Sequence, residues 1–262
     1  MSAPATSLVG PLGSTIHVLR ADAATIAELA GIDWSRHFGR VSLDPARGLI
    51  TLMSPSRLHD DLSEILDDIV DLAADAFGRS SKGLRMTRLR PQGDPPGTGL
   101  EPDCSFYIGE RADRYRLALM EGEAAADAFL EETGPDLVVE VEVTQVDKGK
   151  IERYAALGAR EFWQIRARRG EREVAVDFFA LHPDAPPRPL AASVVLQGLT
   201  PDDVREAIEP VRFSRTVTER LQAVARIVRR RREARMRVRE EDPPPYSATR
   251  QQGEDVPARP HQ

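Results

Sequence analysis

At 262 residues the chain can form one elaborate domain or two small ones, with ample length for a real core. Charged residues make up 30% and aromatics 5%, so that core must come mostly from Val, Leu, Ile and Ala; the net charge of -6 argues against a generic polyanion binder, leaving nucleic-acid contact to local basic patches or to a cation held among the acids. The only cysteine, Cys104, excludes an intramolecular disulfide and a cysteine-based zinc site, while the absence of a signal-like start or of ~20 successive apolar residues points to a cytoplasmic protein with no membrane partner.

Taken in order, residues 1–20 read as a loose leader rich in Ser, Pro and Gly. A short helical pattern over 21–29 puts Ile26 and Leu29 on one side. Residues 40–53 predict a hairpin, Val41-Ser-Leu and Leu49-Ile-Thr-Leu-Met53 about a turn at Asp44-Pro-Ala-Arg-Gly48. From 58 to 77, Leu62, Ile65, Leu66, Ile69, Leu72, Ala73 and Ala76 recur at helical spacing, and Gly78 suits the stop. Leu84-Arg-Met-Thr-Arg-Leu-Arg90 alternates as a strand, whose Arg85, Arg88 and Arg90 either reach a nucleic acid or form an ordinary solvated face. A loop over 91–99 leads to a second apolar strand, Glu101-Pro-Asp-Cys-Ser-Phe-Tyr-Ile108, and residues 109–133 are helical in part.

Gly134-Pro-Asp-Leu-Val-Val-Glu-Val-Glu-Val-Thr144 is the most informative stretch. Leu137, Val139, Val141 and Val143 share one parity, and Val138, Glu140, Glu142 and Thr144 share the other. Unit charges about 4 Å apart repel by roughly 4 kcal/mol at an effective dielectric near 20, so Glu140 and Glu142 need solvent, a proton, a basic partner or a metal. The plain alternative is the solvated face of an edge strand. Asp147 is a good N-cap for a helix over 148–157, with Ile151, Tyr154 and Ala155 packing inward and Gly158 ending it. Strands follow at Glu161-Phe-Trp-Gln-Ile165, at 174–181 and at 190–196, then a short helix over 201–208 capped by Thr200. Residues 214–241 carry Arg229-Arg-Arg-Arg232 with Leu221, Val224, Ile227 and Val228 at helical spacing. This basic amphipathic helix suits a nucleic-acid contact, an exposed helix laced with Glu219, Glu233, Glu240 and Glu241, or a pairing helix that makes a homodimer. Past Pro243-Pro-Pro245 the chain is polar and expected to be disordered.

Three of these residues suit phosphodiester chemistry. Asp103 opens one strand, Glu140 lies in the next, and Lys150 stands in the first turn of the following helix. Magnesium takes oxygen ligands and keeps several waters, so one Asp and one Glu suffice to hold it. An ammonium nearby lowers the pKa of the attacking water or stabilises charge developing on the phosphate. Converging at one end of a sheet, the two acids and the lysine would form such a site, with the Val141 backbone carbonyl as an additional metal ligand. A glycosidase built on Glu140 and Glu142 is disfavoured, because same-face neighbours about 7 Å apart on one strand point the same way.

Pro135-Asp-Leu-Val-Val-Glu-Val, Lys150-Ile-Glu-Arg-Tyr-Ala-Ala-Leu-Gly158 and Glu161-Phe-Trp163 resemble the core of the Uma2 family of restriction-endonuclease-like proteins, within the PD-(D/E)XK nuclease superfamily. Glu101-Pro-Asp-Cys-Ser-Phe-Tyr-Ile108 resembles the strand of its first metal-binding aspartate, and Met53-Ser-Pro-Ser-Arg-Leu-His59 its N-terminal signature; the likeness spans roughly residues 40–200. The resemblance implies an α/β fold, with a mixed central β-sheet flanked by helices in a restriction-endonuclease-like core over 21–213. The leader (1–20), the basic helix (214–241) and the tail (242–262) lie outside that core. It implies a magnesium- or manganese-dependent endonuclease acting on DNA, with Asp103 and Glu140 as metal-binding acids. The superfamily lysine lies two residues after the second acid, where this chain has Glu142. Lys150, with Lys148 as the fallback, takes that role from the next helix, and Glu142 is either a third metal ligand or the mark of a degenerate site. His59 and Glu64 on the first long helix border the site as accessory residues. The rival reading is a catalytically inactive nuclease-fold protein that binds nucleic acid or regulates.

Overall fold

The computed structural model describes residues 6–9, 15–30, 40–44, 47–54, 57–85, 87–90, 99–142, 149–167 and 174–241. The architecture is α/β. A mixed six-stranded sheet is flanked by helices, and an antiparallel four-stranded sheet stands beside it.

The smaller sheet joins β1 (Thr6–Val9), β2 (Thr15–Arg20), β3 (Arg40–Asp44) and β4 (Leu49–Ser54) in the order β1-β2-β4-β3. The hairpin read from the sequence is β3–β4. The residues expected as a loose leader instead supply β1 and β2, because β3 covers one edge of β4 and β2 pairs with the other, from Thr15↔Ser54 to Arg20↔Leu49. Helix α1 (Ala23–Ala30) buries Ile26 against Val41, Leu43, Ile50 and Leu52. Asp22 caps this helix through Oδ1, which accepts from the Thr25 amide at 2.7 Å.

The larger sheet follows α2 (Arg57–Ala76). Its strands are β5 (Ser81–Gly83), β6 (Cys104–Ile108), β7 (Leu137–Glu142), β8 (Glu161–Ala167), β9 (Val174–His182) and β10 (Ala185–Leu190). They lie in the order β10-β9-β8-β7-β6-β5. The β7–β8 pair is parallel, and α5 (Lys150–Ala156) lies between its strands in the chain, as a crossover requires. Helices α3 (Glu110–Glu121) and α4 (Glu123–Glu132) connect β6 to β7. Helices α6 (Pro201–Phe213) and α7 (Val217–Glu241) complete the described chain.

Strand parity decides what lies on each face. Leu137, Val139 and Val141 pack with Leu62, Leu66 and Ile69 of α2, in a core that α6 and α7 also cover. Val138 packs the other way, with Tyr154 and Ala155 of α5 and Phe162 of β8. Both faces of β7 are therefore covered, as the parallel pairing favours. The solvated edge strand considered for Glu140 and Glu142 is excluded, since β7 lies between β6 and β8. Gly134 is required where α5 ends: a Cβ on it would lie 2.3 Å from backbone atoms of Leu157 and Gly158.

Two expected strands are corrected. The chain turns at Arg85 directly after β5, in place of the strand expected over 84–90. Arg85 takes φ 52°, and both the amide and the hydroxyl of Thr87 return to the Leu84 carbonyl. Leu84 enters the cluster of Tyr107, and Leu89, past the turn, bridges antiparallel to Leu100 instead of extending β5. The last strand is 185–190 rather than 190–196. In the following segment the amides of Val194 and Val195 turn inward to buried Glu161 and that of Leu196 to Ser193 Oγ. Thr200 caps α6 as expected, in a capping box with Asp203, but the helix runs on to Phe213.

Helix α7 spends its apolar stripe inside the chain, with Ala223, Val224, Ile227 and Val228 buried against α2 and α6. Its arginines also work at that seam: Arg220 donates to Asp68 at 2.6 Å, Arg230 to Glu206 at 2.7 Å and Arg231 to Asp203 at 2.5 Å. Of the stripe offered for pairing with a second copy, Val224, Ile227 and Val228 are thus covered within the chain, while Leu221 stays 41% exposed.

One carboxylate of α2 is poorly served. Asp67 Oδ1 is buried without a hydrogen-bond partner among the described residues, and desolvation, reinforced by Asp71, pushes its pKa up to about 6. A raised folded-state pKa means that the native state binds the proton more tightly than the unfolded chain. The favourable contribution is therefore present below pH ~4 and lost as pH rises through ~6. Asp67→Asn is expected to stabilise the protein at pH 7.5 by on the order of 1 kcal/mol after allowance for solvent screening, with the gain vanishing near pH 4. Urea unfolding of both proteins at the two pH values measures it; an equal gain at both would assign the effect to something other than this charge.

Candidate active site

The parity that packs Val138 on α5 aims Glu140 at the same helix. Lys150 and Tyr154 stand four residues apart on α5 and so share a face. Both reach the Glu140 carboxylate: Lys150 Nζ donates to Oε2 at 2.5 Å and Tyr154 Oη to Oε1 at 2.5 Å. Glu140 is 3% exposed, and this burial, with Asp103 nearby, pushes its pKa up, while Lys150 and the two hydrogen bonds oppose the shift.

Asp103 comes from the neighbouring strand. Continuing the β6–β7 ladder one position past Cys104↔Val139 sets Asp103 opposite Glu140. At this point the side chain replaces the ladder, and Asp103 Oδ2 accepts from the Val141 amide at 2.5 Å. His59, in the first turn of α2, brings Nε2 to 3.0 Å from the same oxygen, and its Nδ1 lies 3.3 Å from Asp60. Both His59 and Asp103 are buried. The fold therefore gathers Asp103, Glu140, Lys150 and His59, four residues singled out in the sequence, from two strands and two helices.

Glu142 is near enough for Lys150 and Asp103 to act on its charge, but its own hydrogen bond goes elsewhere. Its Oε2 accepts from Gln164 Nε2 at 2.9 Å, and burial raises its pKa. Among the described residues no group of three or more His, Cys, Asp or Glu side chains is gathered to hold a metal ion, so the candidate donor set is the Asp103–Glu140 pair. Glu64 is exposed and faces α7, 3.7 Å from Arg220, rather than the acids. Lys148, like Asp147, lies outside the described residues. Arg88 is held by Glu101 and the Val41 carbonyl, and Arg90 by Glu131, so both are committed to ion pairs; Arg85 is exposed on its turn.

The sequence reading placed Tyr154 in the core as packing, which it is, but missed its hydroxyl on Glu140. The signal was present in the four-residue spacing from Lys150. Arg47 was missed altogether. Its guanidinium lies over Gly149, where a Cβ would come within 2.3 Å of it, and Asp44 ties the β3–β4 turn to α5 through Arg153 at 3.1 Å. Only the packing of the small sheet on α5 brings Arg47 there.

Tyr154→Phe keeps the ring and removes one donor from a buried carboxylate. It is expected to cost about 1.5–3 kcal/mol of stability, read by denaturant unfolding. An unchanged midpoint would show that this hydrogen bond contributes nothing net.

The sequence profile of the Uma2 family, described as "Putative restriction endonuclease", matches residues 36–180, more than half of the chain. That span includes Asp103, Glu140, Lys150, Tyr154 and His59. No curated protein matches the chain. With the mixed sheet, its flanking helices and the matched span in agreement, the chain belongs to the Uma2 family of restriction-endonuclease-like proteins.

Proposed function

We propose that this protein is a divalent-metal-dependent endonuclease that hydrolyses phosphodiester bonds in DNA, with magnesium or manganese as cofactor. The observation that carries the reading is the pair of buried carboxylates, Asp103 and Glu140, on neighbouring strands, with the Lys150 ammonium on one of them. Two buried carboxylates are costly to keep without cations near them, and both are hard oxygen donors of the kind these ions take. Asp103, Glu140 and the Val141 carbonyl would hold the ion, which supplies charge stabilisation at the phosphate and an acidified water.

The chain's own residues have distinct parts in this reading. Lys150 balances Glu140 and keeps an ammonium where negative charge develops on the phosphate oxygens. Tyr154 fixes the second oxygen of Glu140, so that its carboxylate presents one orientation. His59 and the Val141 amide hold Asp103 in the same way. Arg47, half-exposed over Gly149 and 3.9 Å from Asp44, would add a positive charge beside the start of α5 for a polyanion.

A second reading keeps the fold without the catalysis, as a nucleic-acid-binding or regulatory module. Glu142 supports it, because a carboxylate occupies the place where the superfamily pattern has lysine. One set of measurements separates the two. Plasmid and single-stranded DNA are incubated with the protein and magnesium or manganese, and Asp103→Asn, Glu140→Ala and Lys150→Ala are each expected to lower the cleavage rate by about 10²-fold or more. Metal-dependent cleavage that persists unchanged in both Glu140→Ala and Lys150→Ala removes these residues from the mechanism. Salt-sensitive DNA binding with no cleavage under either metal selects the second reading.

A further inference from the structure

At the opposite end of the large sheet from Asp103 and Glu140, the entries of β7 and β8 border a cleft of 490 Å³. That volume lies in the range of small-ligand sites. Three guanidinium groups line it: Arg79 from the segment after α2, Arg111 from α3 and Arg160 just before β8. Two of them are set by one buried acid. Asp136 is 1% exposed; its Oδ2 accepts from the Ile108 amide at 2.8 Å, and its Oδ1 lies 3.1 Å from Arg160 and 3.5 Å from Arg111. Arg111 is fixed further by the Gly134 carbonyl at 2.8 Å.

The third guanidinium is different. Arg79 is half-buried, yet its side chain has no hydrogen-bond or ion-pair partner among the described residues. It lies across Gly109, which has φ 63°, and a Cβ there would come within 2.7 Å of Arg79 Nη2. Glycine at this position keeps the guanidinium in the cleft. The second carboxylate of the wall, Glu161, is turned inward, accepting from Trp163 Nε1 and from the amides of Val194 and Val195. The cleft thus holds three guanidiniums against two carboxylates, a surplus of one positive charge. Beside these charged groups the wall carries His182, whose Nδ1 accepts from the Asp184 amide, and an apolar part made by Leu181, Leu190 and Val194, the last 68% exposed.

A partly desolvated cation without a partner is unfavourable, and an anion relieves it. Arg111 and Arg160 spend only Nη1 on Asp136 and the Gly134 carbonyl, which leaves further N–H donors on both beside Arg79, and a carboxylate has fewer oxygens than these three guanidiniums. A phosphate monoester has three terminal oxygens, and arginine forks match phosphate geometry. We propose that this cleft binds a phosphate monoester of about nucleotide size, its phosphate on Arg79, Arg111 and Arg160 and its body on Leu181, Leu190 and Val194. The site is separate from the acid pair and requires nothing of the nuclease reading.

Thymidine 5′-monophosphate serves as the probe, titrated calorimetrically into the full chain with EDTA present so that no divalent ion contributes. Saturable binding is expected. Arg79→Gln should weaken it about tenfold or more, since a charge-assisted fork is lost. Because Arg79 has no partner to lose, the ligand-free melting temperature of that variant should match the wild type. Val194→Asp, on the exposed rim, adds a repelling carboxylate and should weaken binding too, whereas Lys150→Ala should leave it unchanged. Inorganic phosphate, lacking the body, should bind more weakly. The proposal is overturned by absence of saturable binding, by equal affinity in Arg79→Gln, by loss of binding on Lys150→Ala, or by inorganic phosphate binding as tightly as the nucleotide.

Discussion

A carboxylate buried in the middle of a sheet must find its partners nearby, and Glu140 finds both of them on one helix. Lys150 and Tyr154 of α5 take one oxygen each. This pins the crossover helix to the strand it follows and fixes the parallel pairing of β7 with β8 around it. The constraint works in both directions. Strand parity sends Glu140 to the α5 face, and the apolar residues of α5, Tyr154 and Ala155, pack beside Val138 on that same face. The polar contact and the hydrophobic packing therefore select one register of helix on strand.

Other buried acids serve as hubs in the same way. Asp136 closes the start of β7 by accepting from the Ile108 amide and gathering Arg111 and Arg160. Glu161 opens β8, bonds Trp163 two residues on, and draws in the segment after β10. Asp203 caps α6 and receives Arg231 of α7. Each is satisfied by several donors, as burial of an ionised group demands. Asp103 differs in kind, because the residue opposite it on the neighbouring strand, Glu140, is also a buried acid. That concentration of negative charge, held by groups that would otherwise be free to avoid it, distinguishes the candidate site from the structural hubs.

Several features were legible from the residues. The long amphipathic helix, the β3–β4 hairpin and the strands of Glu140 and of Trp163 all announce themselves through apolar period, because local geometry places alternate or every third and fourth side chain on one face. The Asp103, Glu140 and Lys150 constellation could be listed from the same pattern. What failed did so for tertiary reasons. Residues 84–90 alternate like a strand, but the chain turns at Arg85, with Thr87 bonded back to the Leu84 carbonyl, and Leu89 bridges to Leu100 instead of continuing β5. Residues 15–20 carry no strong period, yet they pair along an edge of β4, and residues 6–9 pair with them in turn. The spacing of α7 leaves a nucleic-acid contact, a solvated face and a pairing helix all open, and it does not reveal that three of its arginines pair with acids of α2 and α6.

By itself the sequence determined which residues face a core, where the main elements begin, and which acids and lysine are available for metal and phosphate chemistry. Those properties depend on side-chain period and residue type, which are local. Only the tertiary structure decided that β7 is central rather than an edge, that Glu140 meets Tyr154 as well as Lys150, that His59 meets Asp103 while Glu64 does not, and that Arg79 beside Gly109 has no side-chain partner among the described residues. Strand order, crossover placement and the docking of separate helices set these contacts. They join residues far apart in the chain, and no local pattern encodes the distance between them.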